Sequence, residues 1–371
     1  MRTKPVLGIL TWREGKRFSE PKYLRRLVLA GQRLGAETFL FSHQDVNSAE
    51  KKIRGFVPVK GGGWESRLFP WPDVVIDRYR KRVDTYLRLR HSGLFQFANS
   101  PFGKKWRVTE MLAKEERVKH WIPKTVVYAA GKVKAMLKHH KIVYVKPGNG
   151  TGGRSIVKIM AQGDHFLIRG RNRRLSQVET KLGSVESVEK WIRRWVREQR
   201  IGDGNFLVQQ GLDLELVPDR VADVRLLIQK KGDGEWDVTG SGVRLGPAGS
   251  SISNLHGGGK PISFSAFMNK CFGEERALEI HQECQHLAHE VAVVLEQKFG
   301  RMMEFGLDVG VDVLGAVWLI EVNPKPGREI FSQMGDSQTY AEAIARPVSF
   351  ALHLVSASGS EENSDPKQGR E

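Results

Sequence analysis

Apolar positions along the first hundred residues fall into two alternating periods. The run Val6-Leu-Gly-Ile-Leu10 is continuous and bounded by polar residues, which predicts a buried strand. Tyr23, Leu24, Leu27, Val28 and Leu34 then recur at helical spacing and predict a helix ending near Gly35. Glu37-Thr-Phe-Leu-Phe41 reads as a second strand and Pro72-Asp-Val-Val-Ile-Asp77 as a third. A strand, helix, strand order favours parallel βαβ pairing. The Gly61-Gly-Gly-Trp-Glu segment between the second and third strands reads as a flexible connector. It is not read as a phosphate loop, because no strand directly precedes it and no helical pattern directly follows.

From about residue 104 the pattern changes to a helical stretch, then the strand Ile142-Val-Tyr-Val-Lys-Pro147, then the glycine-rich Gly148-Asn-Gly-Thr-Gly-Gly-Arg-Ser155. Residues 183–200 predict an amphipathic helix, with Val185, Val188, Trp191, Ile192, Trp195 and Val196 on one stripe and Arg193, Arg194 and Arg197 on the other. The tryptophans read as core. Strands are predicted over 206–210, 223–229, 236–243, 306–313 and 317–322, interrupted by a long helix over 274–299. The polar segment from Ser356 to Glu371 is expected to be a flexible, frayed tail. The expected division is an amino-terminal α/β domain over 1–103, a small subdomain with a glycine-rich lid over 104–205, a large subdomain with a metal site over 206–355, and the tail.

Composition narrows the function classes. With 371 residues, 40% hydrophobic and 27% charged, the chain has ordinary globular usage. Two cysteines cannot make a disulfide framework, no apolar run has the length of a membrane span, and Met1-Arg-Thr-Lys4 lacks the apolar core of a signal peptide. A cytoplasmic location is therefore expected. The net charge of +17 is unevenly spread: the first 200 residues carry +27 and the remainder −10. Such asymmetry suits a nucleic-acid binder, or an enzyme that binds anions and holds an acidic metal site.

The strongest chemical signal is Asp308 with Glu321-Val-Asn323. Alternation along a strand turns Glu321 and Asn323 to one face, and Asp308 lies on the preceding strand of a hairpin turning near Leu314-Gly315. Three oxygen donors of this kind suit Mg²⁺ bridging nucleotide phosphates better than zinc. Lys146 ends an apolar strand and leads into the glycines, which let backbone N–H groups approach a phosphate. The lysine precedes the glycines, so this is not a P-loop. Arg225 follows Asp223 by two and shares its strand face, which would orient the guanidinium; a plain cross-strand ion pair is the competing reading. His281, Cys284, His286 and His289 do not gather on one helix face, and Cys284 reads as core rather than a zinc ligand.

Lys105-Trp106, Lys146-Pro147 with its glycine loop, Gln209-Gln210, Asp223-Val-Arg225, Arg244, Ser253-Asn254-Leu-His-Gly-Gly-Gly259, Asp308 and Glu321-Val-Asn323-Pro-Lys-Pro-Gly327 occur in the order seen in ATP-grasp enzymes. The set resembles the YheC/YheD group of endospore coat-associated proteins, and the Ser-Asn-Leu-His-x-Gly-Gly stretch is similar to glutathione synthetase and the ribosomal-protein glutamate ligases. The resemblance spans residues 100–350 by motif. It implies an α/β (α+β) ATP-grasp fold, with an amino-terminal Rossmann-like unit and two α+β subdomains gripping ATP. By that resemblance Lys105 and Lys146 contact ATP, Gly148, Gly150, Gly152, Gly153 and Ser155 close over its phosphates, and Gln209, Gln210 and Leu212 form the hinge that reads adenine. It makes Glu215 a ribose contact, Asp308, Glu321 and Asn323 the ligands of one or two Mg²⁺ ions, and Arg225, Arg244 and Asn254 the catalytic side chains. Gln210 and Gly211 stand where many relatives carry an acidic and then an apolar residue, which leaves adenine recognition to the backbone.

The expected function is an ATP- and Mg²⁺-dependent ligase that activates a carboxylate as an acylphosphate for capture by an amine, in endospore coat or envelope formation. Its unidentified carboxylate and amine substrates are expected to be anionic or peptide-like, and spore coat components are the candidate partners. Two readings compete. One is a non-catalytic nucleotide-binding coat-associated protein; the other is nucleic-acid binding through Arg169-Gly-Arg-Asn-Arg-Arg174 and the 193–200 face.

Overall fold

The computed structural model describes residues 4–150, 153–201, 205–248 and 258–362. Three mixed layers follow one another along the chain. The first sheet starts with β1 (Val6–Leu10), wholly buried, followed by a small ribbon of β2 (Arg13–Glu14) and β3 (Arg17–Phe18). Helix α1 (Pro21–Arg33) buries Tyr23, Leu24, Leu27 and Val28 on the sheet, whereas Leu34 lies just past its end and is exposed. Then come β4 (Glu37–Phe41), β5 (Val46–Asn47), β6 (Lys52–Pro58), β7 (Trp64–Pro70) and β8 (Val74–Asp77). The order is β5-β6-β4-β1-β8 with β7 on β6, and β1 runs parallel to both β4 and β8. The sequence pattern predicts the parallel trio but not the β6–β7 hairpin. Gly61, Gly62 and Gly63, all at positive φ, are the turn of that hairpin rather than a loose connector.

The second layer contains α2 (Asp84–His91), α3 (Lys105–Leu112), β9 (Thr125–Val127), α4 (Lys132–Leu137) and β10 (Ile142–Pro147). It continues through β11 (Ile156–Gln162), β12 (His165–Arg171), β13 (Gln177–Leu182), α5 (Val185–Gln199) and β14 (Phe206–Gln210). The antiparallel order is β13-β12-β11-β10-β14-β9. Val143, Val145, Val157, Ile159 and Ile168 form one face and pack on Val188, Ile192 and Trp195 of α5. Each of these buried side chains contributes about 1.5–3 kcal/mol as an upper estimate. Alternation therefore turns Tyr144, Lys146, Lys158, Arg169 and Arg171 to the opposite face. Strands β11 to β13 are absent from the expected elements, because their outward residues are charged and only one face is apolar.

The third layer holds β15 (Ala222–Lys230), β16 (Trp236–Leu245), β17 (Lys260–Ser263), α6 (Phe264–Phe272) and α7 (Glu274–Phe299). It ends with β18 (Glu304–Val311), β19 (Val317–Asn323), α8 (Glu329–Gln333) and α9 (Ser337–Glu362). The order is β17-β16-β15-β18-β19, antiparallel throughout. Strand β18 ends two residues before the predicted boundary, because the Asp312 carboxylate accepts from the Leu314 and Ala316 N–H groups at 3.0 Å each and builds the turn with Gly315 at φ 79°. Val224, Leu226, Ile228, Val243, Leu307 and Val309 pack on α7, with Cys284 wholly buried among them. His281 lies against Phe264 and His286 against Trp121, so the helix histidines diverge.

Of the segment expected to be a frayed tail, residues 356–362 form the last turns of α9, and residues 363–371 lie outside the described residues. Ile344, Val348, Ala351 and Leu354 of α9 pack with Leu24, Leu27 and Val28, so the end of the chain completes the core of the first layer.

Candidate active site

The face of the third sheet opposite α7 carries the expected chemistry, and strand register explains why. Arg225 stands opposite Asp308, which stands opposite Glu321, while Asp223 stands opposite Arg244. Arg244 grips Asp223 with two bonds of 2.6 Å and reaches Asp308 at 3.2 Å; Arg225 approaches Asp308 at 2.7 Å. Asp223 thus orients Arg244, not the Arg225 two residues along. Burial alone would raise the Asp308 carboxyl, but the two guanidiniums more than offset it and the net direction is down. Lys105, on the first turn of α3, forms an ion pair with Glu321. Asn323 lies two residues beyond Glu321 at the end of β19.

Across from this face stands the outer face of the second sheet. Lys146 ends β10 there, and burial pushes its ammonium below the ordinary lysine value while Glu321 pulls it up and Lys105 pushes it down. Lys146 thus lies within electrostatic reach of Glu321, which Lys105 holds in an ion pair. Tyr144 and Lys158 share the face, in cross-strand register, and Lys158 pairs with Glu215 at 3.1 Å. Glu215, expected at a ribose, is therefore held by a lysine the sequence reading did not single out. Lys158 leaves a signal all the same, as the one charge within Ile156-Val-Lys-Ile-Met160.

The glycine segment leaves β10 with Gly148 donating to the Asn205 carbonyl at 2.8 Å and Gly150 following it. A Cβ at Gly148 would meet the Trp106 side chain at 3.0 Å and the Asn205 carbonyl at 3.1 Å, so a larger residue would have to push α3 or Asn205 aside by a few tenths of an ångström. Asn149 between Gly148 and Gly150 has both amide atoms buried with no hydrogen-bond partner among the described residues. Such a group is costly to leave unpaired and suits a ligand that supplies the missing contacts. At the other end, Ser155 sits at φ 57° and its hydroxyl donates to Gln199 at 3.2 Å. That makes Ser155 an anchor of the loop rather than a phosphate contact; Gly153 lies just before it, and Gly152 falls outside the described residues.

The hinge is expected in the segment joining β14 to β15. The Gln209 amide donates to Thr125 at 2.8 Å and the Gln210 amide oxygen accepts from the Lys124 N–H at 3.3 Å, so both side chains brace β9. Gly211 donates to the Ile142 carbonyl and Asp213 accepts from Val313. Among the described residues the Leu212 backbone between them makes no backbone hydrogen bond. That free edge fits a purine better than either glutamine side chain does.

The first layer closes the end of β19. Lys325 reaches Asp77 at 2.9 Å and the Tyr79 carbonyl at 2.7 Å, and Arg80 donates to the Lys325 carbonyl at 2.7 Å. Arg78 donates to the Pro326 carbonyl at 3.1 Å. The Pro324-to-Gly327 turn is thereby clamped by residues more than 240 positions away, a link no local pattern discloses. Asn254, expected at the reacting centre, lies outside the described residues.

The residues fit the implied ligands. Asp308 Oδ1 is buried with Arg225 Nε 2.7 Å away, and Asp308, Glu321 and Asn323 together offer the oxygen donors that a hard cation takes. Among the described residues no three His, Cys, Asp or Glu side chains gather as a metal cluster; the oxygen set here is two carboxylates and the Asn323 amide.

A family description, YheC/D like ATP-grasp, matches residues 94–354. The endospore coat-associated protein YheD of Bacillus subtilis (strain 168) is 26% identical over 320 residues, 84% of this chain and 69% of that protein. Among solved structures, the D-alanine-D-alanine ligase from Coxiella burnetii superposes with a TM-score of 0.53 at 11% identity, covering 98% of each chain. The ATP-grasp ligase PsnB, solved with a phosphomimetic variant of a minimal precursor, Mg and ADP, superposes with a TM-score of 0.50 at 12% identity over 95% of this chain and 99% of its own. These structural likenesses speak for the fold, a mixed α+β arrangement of several sheets. With its family pattern running through most of the length, and the ordered lysines, arginines and acidic strand pair in one cleft, the chain belongs to the YheC/D-like ATP-grasp family.

Proposed function

We propose that the protein is an ATP- and Mg²⁺-dependent ligase that activates a carboxylate as an acylphosphate and transfers the acyl group to an amine. The observation that carries this reading is the cross-strand row Arg225, Asp308, Glu321 with Lys105 on it and Arg244 beside it, faced by Lys146. A carboxylate and a triphosphate repel one another, and cations arranged on two walls of a cleft counter that repulsion while holding the attacking oxygen in line.

In this reading Leu212 offers its backbone to adenine, Lys105 and Lys146 neutralise phosphate charge, and the loop from Gly148 with Asn149 covers the phosphates. Asp308, Glu321 and Asn323 hold Mg²⁺, which when bound screens phosphate charge. The substrate carboxylate oxygen bonds to the γ-phosphorus as the bond to ADP breaks. Arg225 and Arg244, fixed by Asp308 and Asp223, orient the acylphosphate bidentately and stabilise charge on its oxygens. The amine nitrogen then bonds to the acyl carbon, phosphate departs, and the amine gives up a proton.

The name of YheD motivates extending to this chain a role in endospore coat or envelope formation. Among the described residues no helix is long and apolar enough to cross a membrane. The test is phosphate release from Mg-ATP across a panel of carboxylates and amines. Turnover that requires both substrates and vanishes in Lys146→Ala is expected. ATP binding that Lys146→Ala removes, with no turnover on any pair, would instead make the protein a non-catalytic nucleotide binder.

A further inference from the structure

We propose that the arginine-rich corner beside the glycine loop binds an acidic polypeptide, which makes a polycarboxylate chain the acid substrate of the cleft; this rests on the ligase reading above. The corner is built around one oxygen. Gln199, buried at the last turn of α5, accepts at its Oε1 from the Ser155 hydroxyl at 3.2 Å and from the Arg173 N–H at 2.9 Å. The exit of the glycine loop, the β12–β13 turn and the end of α5 are thereby tied together. Arg154, Arg173, Arg174 and Arg200, each at or next to a tied residue, are exposed around that knot.

None of the four forms an ion pair with a carboxylate among the described residues, in contrast with Arg169–Glu179 and Arg194–Glu198 nearby. The carboxy-terminal dipole of α5 accounts for about half a charge, well short of four guanidiniums. The turn that presents them is itself braced, with the Asn172 side chain accepting from the Arg174 N–H at 2.9 Å and the Ser176 N–H at 3.0 Å. The positive track also continues inward. Val145 pairs with Val157, which sets Lys146 beside Ile156, and Ile156 pairs with Arg171, so Arg171 lies on the cleft face level with Lys146.

Arginine forks suit carboxylates and phosphates alike, and the aromatic residues decide between the two polymers. Single-stranded nucleic acid needs rings on which bases stack. Here Trp191 and Trp195 stack on each other at 5.3 Å and face the core, while the exposed apolar side chain at the turn is Leu175. A peptide rich in glutamate matches the forks and, at one end, supplies the carboxylate the cleft activates.

Fluorescein-labelled decaglutamate, titrated against the full chain with anisotropy readout, tests the idea. The double variant Arg173→Gln/Arg174→Gln is expected to weaken decaglutamate binding by about tenfold, with ADP affinity unchanged. A charge-matched control, Lys132→Gln/Lys138→Gln on and just past α4, is expected to leave it near the parent value. The proposal is overturned if decaglutamate does not bind, if the control loses as much as the double variant, or if a ten-nucleotide oligomer of DNA binds more tightly than the peptide. Loss of ADP binding in the parent protein would count against the ligase reading alone.

Discussion

Two carboxylates stand four residues apart on β18 and face the same side of the sheet, yet they do opposite things. Glu304 is sealed: Arg78 reaches it at 3.0 Å, Gln229 donates at 2.8 Å, and Arg328 closes the set. Tyr23 lies over both guanidiniums, with ring centroids 4.9 and 4.5 Å away, and only about 1% of the Glu304 side chain is exposed. Asp308 is also paired with two arginines, Arg225 at 2.7 Å and Arg244 at 3.2 Å, but about 14% of its side chain stays exposed, on the face that carries Glu321 and Lys105. An ion pair by itself therefore marks no site. What separates the two is the roof: α8, α9 and Pro326 cover the end of the sheet that holds Glu304, and the Asp308 end is more open, with 14% of the side chain exposed against 1%. Fully buried paired charges hold the first and third layers together, and the partly exposed set around Asp308 remains within reach of a ligand.

The sharpest way to break this contrast is Glu304→Ala. It removes the carboxylate partner of the buried Arg328 and leaves Arg78 with Glu20 alone at 3.2 Å, and urea unfolding is expected to show a loss of about 3–5 kcal/mol. Asp308→Asn keeps the shape and is expected to cost less than about 2 kcal/mol, because Arg244 retains Asp223 and the cleft admits water. Its turnover is expected to fall on the order of 100-fold or more. Equal destabilisation by the two substitutions would erase the distinction. Next in size is Gly211→Ala at the hinge, where the new Cβ would stand 2.1 Å from Ile142 Cγ2 and 2.8 Å from its carbonyl carbon. A cost of about 1–3 kcal/mol in unfolding is expected, with weaker ADP binding measured by calorimetry, since the displaced backbone includes Leu212.

The same contrast explains what was legible in the sequence. Asp308 could be read because Glu321 and Asn323 lie 13 and 15 residues away on the strand it pairs with, so local alternation places all three on one face. Glu304 could not, because its partner Arg78 is 226 residues distant and only the packing of α9 on the first layer brings them together. Asp223 with Arg225 misled for a related reason: residues two apart share a face, but the bidentate partner came from the neighbouring strand. Strands β11 to β13 were missed because charged residues on their cleft face interrupt the apolar period. Asn149 carries no such signal in the sequence, because only burial reveals that its amide has no partner among the described residues.

The smallest effect concerns Lys146, whose burial lowers its pKa below the ordinary value of 10.5 and thereby disfavours the charge that a phosphate needs. Below its pKa in the free protein the ammonium is present and nucleotide affinity is complete. As pH rises through that lowered value the charge is lost from the free cleft, while bound phosphate favours its return, so binding must take up a proton. ADP affinity is thus expected to decline on the alkaline side, beginning below the range of an ordinary lysine and by no more than about tenfold per pH unit for a single proton. Calorimetry in two buffers of different ionisation enthalpy reads the proton uptake directly. Lys146→Arg, charged throughout, is expected to abolish both the uptake and the slope. Persistence of either would assign the titration to another group and remove Lys146 from the phosphate contacts.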